Sequence, residues 1–250
     1  MPSALFFSGR IAGWGTTSGT RLVVGRWATS PFGAFADVMV ERPDGERLLL
    51  APTAEVAELV ASTYAFDRVE VVPVRVTDAD PDESRRLVGP TSAPGPRPGP
   101  EPGPTGARNR AERARGSTTS RSPGPWRVVA GPLEATLVVG PRTSLGWALR
   151  AVPERLASSR RFTAVTDPVA RALLDGVRTR GSAGAGRVEH YGATDVHALH
   201  GATTSWDGAD LGGLAPVDPP VRFGFGSTPR RPAVTDVVTT IVLPADGRGA

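Results

Sequence analysis

Short runs of apolar and β-branched residues, separated by turns rich in glycine and proline, follow one another along most of the chain. Such runs predict half-buried strands, and their close spacing predicts hairpin connections between antiparallel neighbours. The clearest hairpin signal is Arg42-Pro43-Asp44-Gly45-Glu46, in which proline presets φ and glycine accepts a positive φ. The predicted strands cover residues 5–12, 20–27, 35–41, 47–51, 68–76, 126–130, 133–139, 161–165, 221–225 and 234–243.

Helical patterns occur in three places. Pro52-Thr53 opens the first helix, in which apolar residues recur at helical spacing up to Tyr64. Residues 145–158 are predicted to be partly helical and split at Pro153, and residues 167–176 have an N-terminal Asp-Pro and a terminal glycine. We therefore predict an α+β, mainly antiparallel β fold with about three short helices, in which the sheet is barrel-like or two-layered.

Residues 78–125 differ in composition from the rest of the chain. Residues 81–125 contain ten prolines, seven glycines and few apolar residues, so burial cannot offset the entropy of ordering them. We predict a long disordered Pro/Gly/Arg-rich insert at 78–125. Residues 1–77 and 126–244 then form one β-rich globular domain, and residues 245–250 form a frayed tail.

The basic charge of the chain lies in that insert. Residues 81–125 carry a net charge of +4, which is the formal net charge of the whole chain, so the domain itself is balanced. A nucleic-acid-binding domain normally presents a basic face, and we therefore expect no nucleic-acid partner. The insert could offer a Pro-x-x-Pro ligand to a partner domain, or it could be a tolerated insertion without a partner.

Lysine and cysteine are both absent, and all 29 basic residues are arginine. The absence of lysine excludes a Schiff base and a P-loop lysine. The absence of cysteine excludes disulfides, thiolate nucleophiles, iron–sulfur clusters and cysteine-based zinc sites. We expect no cofactor. The chain also lacks a secretory-type start and a run of about 18 apolar residues, so we expect a soluble, cytoplasmic protein without membrane contact.

All three histidines lie between residues 176 and 200. If residues 190–199 are extended, Asp195 and His197 share one face of the strand and His200 lies on the other. His190, Asp195 and His197 are the candidate catalytic residues, because a histidine base oriented by a carboxylate is a recurring acid–base pair. These residues, with Glu189 and His200, are also the potential metal ligands, but ordinary core or surface positions are the alternative, and we expect no metal.

Arginines flank a run of small residues in the same region. Arg178, Arg180 and Arg187 surround residues 181–186, where small side chains would let backbone N–H groups approach an anion. Ser182 lies within this run, and Arg230 and Arg231 could join the site. The alternative is a mobile hairpin loop with solvated charges.

Phe223-Gly224-Phe225-Gly226 alternates aromatic residues with glycine. In a strand this pattern puts two aromatic rings on one face and bare backbone on the other. The glycines would permit close approach by a ligand or by a neighbouring aromatic ring.

Residues 30–40 (Ser-Pro-Phe-Gly-Ala-Phe-Ala-Asp-Val-Met-Val), followed by a helix and Tyr64-Ala65-Phe66-Asp67, resemble part of the acetoacetate-decarboxylase-like barrel superfamily. The resemblance covers residues 30–76 and implies a barrel. The decarboxylases use a lysine Schiff base, and this chain has no lysine, so their activity does not carry over. The chain also resembles an uncharacterised family of high-GC bacterial proteins, which implies no particular chemistry.

These observations leave three functional hypotheses. The first is a small-molecule-binding β-rich domain with an apolar interior and an arginine- and histidine-lined mouth around residues 178–200. The second is a lysine-independent hydrolase or lyase that uses a His/Asp acid–base pair. The third is an interaction protein that acts through the Pro/Arg-rich insert.

Overall fold

A single curled sheet organises the chain. The computed structural model describes residues 4–80, 82, 87, 124–150, 180–183, 187–224 and 228–242, with only the backbone described at 180–183 and 187–190. The strands are β1 (Ala4–Thr16), β2 (Arg21–Thr29), β3 (Phe35–Glu41), β4 (Arg47–Ala51), β5 (Arg68–Val71), β6 (Val74–Asp78), β7 (Trp126–Ala130), β8 (Leu133–Arg142), β9 (Arg180–Ala183), β10 (Arg187–Trp206), β11 (Ala209–Asp210), β12 (Leu214–Ala215) and β13 (Ala233–Val242). The helices are α1 (Ala54–Thr63) and α2 (Ser144–Arg150).

The strand order along the sheet is β5-β4-β3-β2-β1-β13-β10-β8-β7-β6. Short strands β9 and β11 pair with β10, and β12 pairs with β1. Neighbours are antiparallel except β4 and β5, which are parallel and are connected through α1. The predicted fold class, α+β with a mainly antiparallel, barrel-like sheet, is confirmed.

The concave face of the sheet is filled by its own side chains. Alternate residues of each strand point inward, as the period of two requires. Leu48 of β4 and Trp126 of β7 come from near the two ends of the sheet, yet they belong to one buried cluster. The sheet therefore curls around this core as a half-barrel, and Trp14 and Leu137 help to fill its interior.

Helix α1 covers part of the convex face. Its N-cap is Thr53, whose Oγ1 accepts a hydrogen bond from the Val56 N–H at 3.3 Å. Val56 and Val60 pack on Leu49 of β4, which points away from the concave core. This second apolar cluster holds the helix against β3 and β4.

The prediction of one long strand at residues 68–76 is wrong. The chain forms two short strands, β5 and β6, which lie at opposite edges of the sheet. Pro73 lies between them and has no N–H to donate to a strand ladder, so the strand stops and the chain crosses to the other edge.

The two ends of the predicted insert meet in the sheet. Asp78 of β6 is the register partner of Trp126 of β7, and the Ala79 N–H donates to the Pro125 carbonyl at 2.8 Å. Most of 81–123, the predicted strand at 161–165, the predicted helix at 167–176 and the tail at 245–250 lie outside the described residues. The predicted division into a domain, an insert and a tail stays a prediction. Within the part of the chain that the structure describes, neither helix is long and apolar enough to cross a membrane.

Candidate functional site

A pocket lies on the convex face, between the sheet and α1. Its floor comes from β1, β2, β3 and β13, and its walls come from α1 and the segment 221–224. It encloses a cavity of about 60 Å³ and is partly open to the surface. Its lining is mostly aliphatic and aromatic, with a few polar groups.

Three aromatic rings form one side of the pocket. Phe7 packs edge-on against Trp27 with centroids 5.7 Å apart and against Phe35 with centroids 6.5 Å apart. Trp27 and Phe35 are 6.3 Å apart. The rings come from three adjacent strands, so pairing in the sheet fixes their positions.

Asp37 is the buried charged group of this pocket. Asp37 is only 3 % exposed, and its Oδ1 accepts a hydrogen bond from Trp27 Nε1 at 2.9 Å. Burial raises the pKa of the Asp37 carboxyl to about 6, although the hydrogen bond from Trp27 acts in the opposite direction. Among the described residues, no arginine or histidine forms an ion pair with Asp37.

Gly25 makes room for this arrangement. Gly25 is the register partner of Asp37 on β3 and of Ile11 on β1. A Cβ at position 25 would lie 2.5 Å from Trp27 Nε1 and closer still to Asp37 Oδ1. The carboxylate and the indole N–H therefore meet in the space that a side chain at position 25 would occupy.

A second polar group lies on β13. The Thr239 side chain is buried, and its Oγ1 has no hydrogen-bond partner in the part of the chain that the structure describes. Its register partner on β10 is Tyr191, whose hydroxyl lies 3.4 Å from that of Tyr64. Asp37 and Thr239 are three strands apart, which corresponds to roughly 14 Å across the sheet. Asp37 and Thr239 thus lie toward two ends of a largely apolar pocket.

The wall formed by residues 221–224 is anchored by a buried glutamate. Glu41 is fully buried and accepts hydrogen bonds from Arg222 N and Arg222 Nε, each at 2.7 Å. Arg21 Nη2 lies 3.0 Å from the same carboxylate. The Ala65 N–H donates to the Phe223 carbonyl at 2.6 Å, which joins this wall to the end of α1.

Gly224 allows this wall to approach Tyr64. A Cβ at position 224 would lie 2.7 Å from the Tyr64 ring. Of the two alternatives predicted for this glycine, a ligand or a neighbouring aromatic ring, the structure shows the aromatic ring, although residues 221–224 do not form the predicted strand. Phe223 packs on Phe66 at 5.6 Å and also lines the pocket.

The predicted pair Asp195 and His197 lies elsewhere, on β10. Both residues are buried, and His197 Nε2 is 3.4 Å from Asp195 Oδ2. They share one face of an extended strand, as the sequence predicts, and His200 is exposed. Their register partners are Asp236 and Val234, and Val234 belongs to the concave core.

Arg142 of β8 engages Asp195 strongly. Its Nε is 2.7 Å from Oδ1 and its Nη2 is 2.8 Å from Oδ2. Burial alone would raise the pKa of the Asp195 carboxyl, but the Arg142 hydrogen bonds and charge bring that pKa below its usual value. The Arg142 guanidinium also stacks over Trp147 of α2 at 4.6 Å. The carboxylate therefore belongs to a paired network within the protein.

The ring nitrogens of His197 both face acceptors of the chain. Nδ1 is 3.3 Å from the Gly140 carbonyl, and Nε2 faces Asp195. His190 lies seven residues earlier in β10, so its backbone is roughly 23 Å away along the strand and is not brought to this pair. A catalytic role for any of the three residues stays a prediction.

The predicted anion-binding residues are only partly described. Arg178 lies outside the described residues, and Arg180, Ser182 and Arg187 belong to the β9–β10 hairpin, of which the backbone alone is described. Arg230 pairs with Asp218, and Arg231 is exposed. Across the described ranges, no three His, Asp or Glu side chains are grouped to hold a metal ion.

Sequence reasoning missed the pocket and its carboxylate. A signal was present, because Asp37 interrupts the apolar strand Phe35–Glu41. The residues that meet it, at positions 25 and 27, come from another strand, and their contact depends on the β2–β3 register.

Comparisons with known proteins identify no relative. No protein-family model matches the chain, and searches of curated proteins and of solved structures also gave no match. The resemblance of residues 30–76 to the decarboxylase-like superfamily therefore stays a prediction, and any function has to be argued from the site.

Proposed function

We propose that the protein binds a small, largely apolar molecule in the pocket beneath α1. The observation that carries this proposal is a carboxylate, Asp37, buried in an aromatic pocket that opens to the surface. Small-molecule sites are typically apolar clefts with a few convergent polar groups, and perturbed carboxyl groups are enriched in them.

The concave interior is less suited to such a ligand. Its deep part is filled by Trp14, Trp126 and their neighbours. Its mouth is a wide cleft of about 1090 Å³, lined by charged as well as apolar side chains. At its mouth, Arg10 pairs with Asp236 at 2.8 Å and Arg26 pairs with Asp78 at 2.9 Å. These charges are paired across the mouth, whereas Asp37 and Thr239 of the pocket beneath α1 keep acceptor or donor capacity that no other described residue uses.

The cavity limits the size of the ligand. An engineered apolar cavity of about 150 Å³ in another protein holds benzene. A cavity of about 60 Å³ would hold a fragment of a few heavy atoms, or one end of a longer molecule that enters through the open side. The proposed ligand is therefore small, or it is inserted by its end.

Trp27 offers a direct way to test the proposal. Its indole N–H lies in the pocket, so its ¹H–¹⁵N NMR signal should respond when a ligand binds. We expect a saturable shift of this signal on titration with n-butanol. The indole signal of Trp147, which is 62 % exposed on α2, serves as the internal control.

A blocking variant completes the test. Leu59 of α1 lines the pocket, so Leu59→Trp should fill the opening and remove the saturable shift. Glu58→Trp introduces the same ring one residue away, on an exposed position, and should keep the shift. Absence of saturation in the wild type, or equal saturation in Leu59→Trp, would contradict ligand binding in this pocket.

A further inference from the structure

The Asp37 carboxylate has little compensation from its own protein. Its hydrogen bond from Trp27 uses one oxygen, and a carboxylate can accept several hydrogen bonds. With a pKa of about 6, the group is largely ionised at neutral pH. A buried negative charge normally has a cationic or metal partner, and none is found for Asp37 within the described ranges. The pocket therefore lacks a positive charge at this end.

The rest of the lining is suited to a cation with an apolar body. Trp27, Phe35 and Phe7 lie together beside the carboxylate, and aromatic faces attract ammonium groups. The aliphatic side chains of Ile11 and Val23 complete this side of the pocket and would contact an alkyl group. The same lining disfavours an anionic ligand, because an anion bound beside Asp37 would place two negative charges together in an apolar site.

We infer that the bound molecule carries a primary ammonium group, which donates hydrogen bonds to Asp37 while its alkyl part lies among the aromatic rings. This inference rests on the proposed function, since it names the class of ligand for the same pocket. A compact –NH₃⁺ group on a short alkyl chain fits both the volume of the cavity and its single acidic end.

The experiment compares three probes of similar length: n-butylammonium, n-butanol and butanoate. Their dissociation constants are measured at pH 7.5 from the Trp27 indole signal of the full chain. Hydrogen bonds to charged groups are markedly stronger than neutral ones, so we expect n-butylammonium to bind roughly 10- to 100-fold more tightly than n-butanol. Butanoate should bind most weakly.

Asp37→Asn is the decisive variant. Asparagine keeps an oxygen to accept the Trp27 hydrogen bond, so the reporter stays in place while the charge is removed. We expect n-butylammonium to lose its advantage over n-butanol. Asp44→Asn is the matched control, because Asp44 is exposed in the β3–β4 turn and the substitution changes the net charge equally. It should keep the preference for the ammonium.

The outcomes separate the two proposals. Equal affinities for n-butylammonium and n-butanol, both lost in Leu59→Trp, would overturn the ammonium inference and leave the pocket proposal standing. A preference for the ammonium that survives in Asp37→Asn would also overturn the inference. If neither probe gives a saturable, pocket-dependent shift, both proposals fail.

Discussion

Trp27 donates its indole N–H to Asp37 at 2.9 Å inside an apolar pocket, in the space that Gly25 leaves free. The hydrogen bond fixes the carboxylate but does not neutralise it. A buried carboxylate without a charge partner reduces the stability of the folded state. Because Asp37 lines the pocket, this loss of stability occurs at the proposed ligand site.

This loss of stability should appear in the pH dependence of the free energy of unfolding. Between about pH 4 and pH 6, the unfolded chain releases the Asp37 proton while the folded chain keeps it, so the free energy of unfolding falls as pH rises. A shift of this size corresponds to about 3 kcal/mol. Asp37→Asn stays neutral, so its stability relative to wild type should rise by about 3 kcal/mol between pH 3.5 and pH 8, measured by urea denaturation without ligand. If the free energy of unfolding varies with pH in the same way in both proteins, the pKa of the Asp37 carboxyl is not raised in the folded state.

Thr239 provides a second test of the polar groups in the pocket. Its buried hydroxyl has no partner among the described residues, so Thr239→Val should be neutral or stabilising, by up to about 1 kcal/mol. Thr204 is equally buried, but its Oγ1 accepts the Trp14 indole N–H at 3.0 Å. Thr204→Val should cost about 1–3 kcal/mol, because it leaves that donor unpaired. Denaturation curves that show equal losses for both variants would indicate that the Thr239 hydroxyl is paired in the folded protein.

Gly25 should not tolerate a side chain. Gly25→Ala places a methyl group against the Trp27 indole and the Asp37 carboxylate, and overpacking of this kind typically costs about 1–3 kcal/mol. The Trp27 indole NMR signal should move as well. Gly124→Ala is the control, since no atom of the described residues lies within 4 Å of a Cβ there. An unchanged Trp27 signal in Gly25→Ala would mean that the hydrogen bond lies elsewhere.

The Arg142–Asp195 pair should contribute strongly to stability. Their side chains are only 7 % and 4 % exposed, so Asp195→Asn leaves a largely buried guanidinium without its charge partner and should destabilise the fold clearly more than the loss of an exposed ion pair does. The folded-state pKa of Asp195 is lowered, so this stability is present at neutral pH and is lost as pH falls below about 4. Urea denaturation at pH 7 and pH 3 measures both effects.

Asp78→Asn is the matched control for this pair. It removes the partner of Arg26 at a site where the Asp78 side chain is 76 % exposed. Exposed ion pairs contribute about 1 kcal/mol or less, so the loss should be small. Similar losses for Asp78→Asn and Asp195→Asn would contradict the structural role assigned to the buried pair.

The local pattern predicts most of the strands, and it predicts relations within a strand. It does not predict the long strand β10, and the strand predicted at 221–225 is wrong, because residues 221–224 form no strand. Asp195 and His197 are two residues apart, so an extended backbone alone places them on one face. The position of Thr53 at the start of α1 is predicted for a similar reason, because its hydroxyl accepts from the N–H of Val56, which is only three residues away. Such features depend on distances of a few residues along the chain.

Relations between strands are not predictable from the pattern. Arg142 is 53 residues from Asp195, and the separation of β5 from β6 across the whole sheet follows from long-range pairing. The pocket depends on the same pairing. Trp27 and Asp37 meet only because β2 and β3 pair in one register. A shift of that register by one residue would place the two side chains on opposite faces of the sheet.

The most direct test of ligand binding is a crystal structure of the protein soaked with n-butylammonium at a concentration that saturates the Trp27 signal. We expect one molecule in the pocket beneath α1, with its nitrogen about 2.7–2.9 Å from an Asp37 carboxylate oxygen and its chain against the aromatic rings. An empty pocket under these conditions, with the amine bound at another surface, would contradict the proposed site.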